Sequence, residues 1–256
     1  MLKALAIASG KGGVGKTTIA VNLALTQAIK EKCLLLDADM GMANAHILLG
    51  INPEVTVREV IEGKSSLEQA IVKAPNELNF LSGGSGITEL LSIDSKKKFN
   101  FIRSFNSLSN SIPNLIIDVS AGADNTALNM ISAADKVLIV LLNEPTSFMD
   151  AFTLIKVCNL ELKFKEFCIV INMVNSENQG KEIYKKFNDI VTKFYDVNIT
   201  YVGSILTMPD IKISIIKKKP AVLNSKSTNI KSLFNRILNN IRNAPFNNNS
   251  GIKFFN

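Results

Sequence analysis

Gly10-Lys11-Gly12-Gly13-Val14-Gly15-Lys16-Thr17-Thr18 fits the pattern G-x-x-x-x-G-K-[ST] in full. The apolar run from Leu2 to Ala8 before it reads as a buried strand, and Thr17 to Ile29 after it reads as a helix. Strand, glycine loop and helix in that order make a phosphate-binding loop. Gly12, Gly13 and Gly15, with Val14 between them, let successive backbone N–H groups turn inward around a phosphate, and the helix aims its positive end at the same point. Lys16 then reaches the β- and γ-phosphates, Thr17 offers its hydroxyl to Mg²⁺, and Thr18 with the first helical amides suits the α-phosphate. A glycine turn without a ligand would explain neither the Lys-Thr pair nor its setting.

Working outward, the rest of the chain alternates strand and helix. Cys33 to Asp37, Leu78 to Leu81, Leu115 to Asp118, Lys136 to Leu142, Phe167 to Asn172 and Thr200 to Leu206 are short apolar runs of strand type, with helical patterns between most of them. That predicts α/β architecture, a doubly wound and mostly parallel sheet flanked by helices. In such a sheet ligands bind at the carboxyl ends of the strands. Three of these ends carry polar residues suited to nucleotide chemistry. Asp37 and Asp39 follow one strand, with Asp39 able to orient water or approach Mg²⁺. Asp118 ends Leu115-Ile116-Ile117 as a Walker B carboxylate able to hold Mg²⁺ through water, and Asn172 ends another.

With 256 residues, 46% of them hydrophobic, the chain can bury a full core as one domain, expected over residues 1–243. Three cysteines, odd in number and in apolar surroundings, do not indicate a disulfide framework. No signal-peptide pattern and no apolar run of membrane-spanning length occurs, which predicts a cytoplasmic protein. The net charge of +7 is uneven: residues 201–256 carry nine Lys or Arg against one acidic residue, Asp210, while residues 1–200 carry 20 against 21. A basic end of this kind could meet nucleic acid, anionic lipid or an acidic partner.

Lys11 is a second lysine that a bare P-loop does not require. The string K-G-G-V-G-K-T resembles the deviant Walker A motif of the MinD/ParA ATPase family, in which the early lysine crosses an ATP-bound homodimer to the partner's nucleotide. That resemblance implies dimerisation with ATP and a charge-stabilising role for Lys11 beside Lys16. Asp37 to Asn44 is similar to the family's switch I, D-x-D-x-G-x-x-N, which gives Asp39 the attacking water. The resemblance also places Asn172 against adenine, and a base-covering loop at Met208, Pro209 and Asp210, although the family's proline falls where Met208 stands here. No N-K-x-D string occurs, so ATP is expected rather than GTP.

Four strings are similar to the flagellar-number regulators of the FlhG, FleN and YlxH type: GMANAHILLG (Gly41 to Gly50), SGGSG (Ser82 to Gly86), DVSAG (Asp118 to Gly122) and NEPTSFMDAFTLIK (Asn143 to Lys156). They imply a slow, partner-stimulated ATPase acting with flagellar regulatory or assembly proteins, with Glu144 near the partner's ribose and Asp150 near a partner face. His46 replaces a commonly acidic residue and reads as a surface or packing side chain. The D-Q-x-x-x-L-R extension of many such regulators does not occur, so stimulation of a signal-recognition-type GTPase is not expected. Division-site and DNA-partition ATPases share the P-loop pattern and stay open as alternatives, although the flagellar strings weigh against DNA. A redox reading, as in the nitrogenase iron protein, needs cysteines after the switch loops, where this chain has none.

Near the C-terminus, Ile230, Leu233, Phe234, Ile237, Leu238 and Ile241 recur at helical spacing and predict a last core-covering helix. Residues 244–256 read as a short flexible tail, a polar spacer ending in Ile252, Phe254 and Phe255. This tip resembles a shortened form of the family's membrane-targeting tail, and implies peripheral contact with an anionic membrane when a dimer presents two copies.

Overall fold

A computed structural model of the chain describes residues 2–39, 44–84, 95–224, 228–248 and 251–255. The Met40 to Ala43 part of switch I and the Ser85-Gly86 end of the SGGSG string lie outside the described residues.

The described strands are β1 (Ala4–Ala8), β2 (Cys33–Ala38), β3 (Val72–Lys73), β4 (Asn79–Ser82), β5 (Asn114–Val119), β6 (Lys136–Leu141), β7 (Glu166–Val174) and β8 (Asn198–Leu206). They form one sheet in the order β3-β4-β2-β5-β1-β6-β7-β8. Every pairing is parallel except the antiparallel edge pair β3–β4. The doubly wound, mostly parallel plan expected from the sequence is the one observed. β3 is the departure: it is not among the strand-type runs of the sequence, and its two residues complete the sheet edge.

β1, β2, β4, β5 and β6 are buried at every position, on both faces, which is why the inner strands read as continuous apolar runs rather than as alternating ones. Within β1 the alternation survives as size: Ala4, Ala6 and Ala8 face one core, Leu5 and Ile7 the other. The second core is closed by α1 (Lys16–Ala28) and α10 (Thr228–Asn243). All six residues of the Ile230 to Ile241 stripe are buried there, so this helix covers the sheet as expected. The first core is covered by α5 (Ser95–Ser104), α6 (Asn125–Ala133), α7 (Pro145–Leu162) and α8 (Glu177–Phe194). Among the described residues no helix is long and apolar enough to cross a membrane.

The chain end departs from the expectation of a flexible tail with an exposed tip. Beyond α10 the backbone turns under the amino edge of the sheet and is fastened there. The buried Lys136 ammonium donates to the carbonyls of Ile241 and Arg242, at 2.7 and 2.9 Å, and to that of Ala244. Asn247 accepts from the Lys165 and Glu166 amides, each at 2.9 Å, and donates to the Glu166 carbonyl at 2.7 Å. The Phe254 amide donates to the Ala133 carbonyl at 3.2 Å. Its ring meets Phe105 edge-on, with centroids 4.9 Å apart. Phe254 is fully buried and Phe255 nearly so, with Ile252 packed beside them. The apolar side chains find a protein surface, and the tip is consumed by the core.

A docked aromatic and a free one differ in their effect on stability. Phe254→Ala is expected to lower unfolding free energy by about 3–5 kcal/mol, as for other buried phenylalanines. A urea midpoint within about 0.5 kcal/mol of the parent would be the signature of an exposed site instead.

Candidate nucleotide site

The P-loop leaves β1 and enters α1 at Lys16. Gly15 takes the left-handed conformation, with φ of 92°, as the last residue before the helix. A side chain is excluded there twice over, because a Cβ on Gly15 would lie 2.6 Å from the Asn172 amide nitrogen. The loop is braced from neighbouring strands. The Gly122 amide donates to the Ser9 carbonyl at 2.9 Å, and the Asn172 side-chain amide donates to the Val14 carbonyl at 2.8 Å. Asn172 is therefore first a clamp on the P-loop, and its carbonyl oxygen is the atom left to meet a base.

A cavity of about 900 Å³ opens over the loop. Gly12, Gly13, Gly15, Lys16, Thr17 and Thr18 line one end, together with Asp39, Asn44 and Ser120. Ile19, Asn172, Ile205, Met208, Ile211 and Phe234 line the other. One end is donor-rich and the other apolar, which is the division a nucleotide needs between phosphates and base. Met208 joins this wall as the residue before helix α9 (Pro209–Ile216). Pro209 and Asp210 do not: both are exposed, start the helix and lie outside the lining, with Ile211 and Ile215 turned toward the cavity in their place.

Parallel pairing of β2 with β5 sets Asp37 opposite Asp118. Both are fully buried. Asp37 accepts hydrogen bonds from the Asp39 amide at 3.3 Å and the Ala45 amide at 3.1 Å, which ties together the two ends of the switch I loop. Burial, then the Asp118 charge, push its carboxyl up to about 8. Asp118 has neither side-chain oxygen hydrogen-bonded. Burial raises it to about 7, with Thr17 and Lys16 pulling down and Asp39 pushing up. An unpartnered buried carboxylate among Thr17, Lys16 and Asp39 fits a hard divalent cation, which oxygen ligands suit. Since Asp118 lies behind the cavity lining, reach through water is the natural mode, while Thr17 and Asp39 stand on the wall itself.

Lys11 points away from the cavity. Its ammonium pairs with the Glu144 carboxylate at 2.8 Å and donates to the Thr146 hydroxyl at 3.1 Å. Glu144 precedes α7 without capping it. The start of α7 lies against the P-loop here, since a Cβ on Gly10 would overlap the Asp150 backbone.

A family model for ParA, described as NUBPL iron-transfer P-loop NTPase, matches residues 1–242. The chain belongs to the ParA family of P-loop NTPases. Among members of the wider ParA and MinD group, the antiactivator FleN of Pseudomonas aeruginosa is 33% identical over 219 residues, 85% of this chain and 78% of that protein. The flagellum site-determining protein YlxH of Helicobacter pylori is 29% identical over 205 residues, 79% of this chain and 69% of that one. The MinD cell division protein of Aquifex aeolicus shares the structure with a TM-score of 0.74 at 26% identity, covering 94% and 95% of the two chains. The resemblance to deviant Walker A proteins of the flagellar-regulator type is thus borne out. The iron-transfer wording belongs to the family model; in this ParA-family chain Cys33, Cys158 and Cys168 are buried on three separate elements.

The sequence missed Thr146 and the cavity wall made by Ile205, Ile211, Ile215 and Phe234. Phe234 sits in an apolar stripe that reads equally well as core, and Thr146 carries no motif of its own.

The two buried carboxylates bind protons more tightly folded than unfolded, so folding takes up protons between the ordinary carboxylate range and about pH 7 to 8. Stability of the nucleotide-free, metal-free protein is therefore expected to fall as pH rises through that window. Asp118→Asn should flatten part of the fall and raise stability at pH 8 by on the order of 2 kcal/mol. Urea midpoints at pH 5 and pH 8 check this, and a parallel pH dependence in parent and variant would contradict it.

Proposed function

We propose that this chain is a Mg²⁺-dependent ATPase switch, monomeric with ADP and dimeric with ATP, that regulates the placement or number of flagella from the cytoplasm. The observation that carries the ATPase reading is Asp118, fully buried beside Lys16 and Thr17, both of which favour its charged form. Mg²⁺, held by Thr17 and Asp39 with Asp118 behind, would neutralise charge developing on the transferred phosphoryl group. Everything else is done by side chains and backbone of this chain. Backbone amides of Gly12 to Thr18 cradle the phosphates, Lys16 sits over the terminal two, and Asp39 orients the attacking water. The Asn172 carbonyl oxygen can accept from an exocyclic amino group where adenine carries one and guanine carries a carbonyl, which supports ATP over GTP.

Lys11 enters as the part supplied between subunits. In the single chain it is parked on Glu144 and Thr146, an exposed contact that costs little to break. In the dimer reading it swings to the partner's nucleotide, and Glu144, released, lies near the partner's ribose. Flagellar regulatory or assembly proteins are the proposed partners, on the strength of FleN and YlxH as relatives. The same core would serve a division-site or DNA-partition ATPase, but those two relatives favour flagella.

With saturating Mg²⁺ and ATP, Asp39→Ala and Lys11→Ala are each expected to release phosphate at least ~10²-fold more slowly than the parent. Asp39→Ala should keep ATP bound through gel filtration, whereas Lys16→Ala should lose it. Parent-like phosphate release by Asp39→Ala would remove that residue from its role, and parent-like binding and turnover by Lys16→Ala would overturn the ATPase reading.

A further inference from the structure

Helix α9 lines the nucleotide cavity with Ile211, Lys212 and Ile215, and with the turn after it also presents an exposed surface outside that wall. Residues 212–219 are exposed at every position except Ser214. Ile213, Ile215 and Ile216 are 45%, 44% and 72% exposed. Around them stand Lys212, Lys217, Lys218 and Lys219. Ile215 belongs to the cavity wall, but Ile213 and Ile216, one helical turn apart and outside the lining, form with the lysines a patch that calls for an occupant. Among the described residues, none of the four lysines has a carboxylate within ion-pair distance. The one acidic residue of this segment, Asp210, lies at the opposite end of the helix.

We propose that residues 212–219 seat this chain on an anionic lipid surface, with the exposed isoleucines entering the headgroup boundary and the lysines resting on the charged layer above it. The charge pattern selects an anionic occupant. The isoleucines select among anionic occupants: a nucleic-acid duplex would be held by lysines alone and offers branched aliphatic chains nothing to enter. A bilayer interface has both layers in the right order, negative charge outside and hydrocarbon a few ångströms beneath. The C-terminal tip does not compete for this part, because Phe254 and Phe255 are buried in the core. Lipid contact is thus moved from the tail, where the sequence suggests it, to the helix beside the nucleotide cavity.

The test uses the full chain with Ile216→Cys carrying a polarity-sensitive fluorophore. Labelling is selective because Cys33, Cys158 and Cys168 are buried. Emission is expected to move to the blue with phosphatidylglycerol-rich vesicles, but not with pure phosphatidylcholine vesicles or with duplex DNA. Lys217→Gln with Lys219→Gln should weaken vesicle binding ~30-fold, from the usual contribution of a lysine at an anionic surface. Ile213→Ser with Ile216→Ser should abolish co-sedimentation with the vesicles, with retained ATP turnover showing that the variant is folded. Three results would each overturn the proposal. The label could stay unshifted on phosphatidylglycerol-rich vesicles, or respond as strongly to DNA, or stay unshifted while a label at Ile252→Cys moves, which would return the lipid contact to the tip. If the double serine variant lost self-association instead of lipid binding, the patch would be an interface between copies of this chain.

Discussion

The buried carboxylate of Asp118 is the constraint on which the site depends. Parallel register fixes it: β5 lies between β1 and β2, so Ile7, at the last turn before the P-loop, and Asp37, at the start of switch I, both stand opposite Asp118. A carboxylate in that position is fully buried, with Thr17 and Lys16 as the neighbours that favour its charged form. The fold therefore holds a latent negative charge whose neighbouring counter-charge is Lys16. In the proposed function, nucleotide and metal would relieve that burial penalty and so link ligand binding, proton release and stability at one residue.

From that centre two elements lead outward. Asp37 closes switch I on itself through the Asp39 and Ala45 amides, which ties Asp39 to the start of α2 (Ala45–Leu49). On the other side Lys11 reaches the first residues of α7, with Gly10 pressed against the Asp150 backbone. The phosphate loop is thereby in direct contact with the start of α7, the segment whose sequence most resembles the flagellar regulators. An exposed ion pair is a suitable latch because it is weak. Its loss costs little.

How much of this was legible in the sequence follows the range of the interactions. The P-loop, Asp39, Asp118 and the six-residue stripe of α10 are written locally, in motif spacing and helical period: the loop joins β1 to α1, Asp39 follows β2, Asp118 lies in β5 and the stripe is buried. Asn172 was found by its strand end, but its bond to Val14, 158 residues away in the chain, carries no local signal. Phe234 and Ile211 were invisible as site residues because cavity wall and core ask for the same side chains. The tail failed for a related reason. A polar spacer before Phe254 and Phe255 reads alike whether the rings meet lipid or meet Phe105, and only the folded sheet edge with Lys136 beneath α10 decides.

The central claim is that this single-chain site is complete for nucleotide and incomplete for turnover until a second copy supplies Lys11. Sedimentation velocity of the parent protein with Mg²⁺ and ATP, against Mg²⁺ and ADP, tests it most directly. A dimer with ATP that reverts to monomer with ADP is the expected result. One and the same mass in both nucleotides, with ATP still hydrolysed, would contradict it.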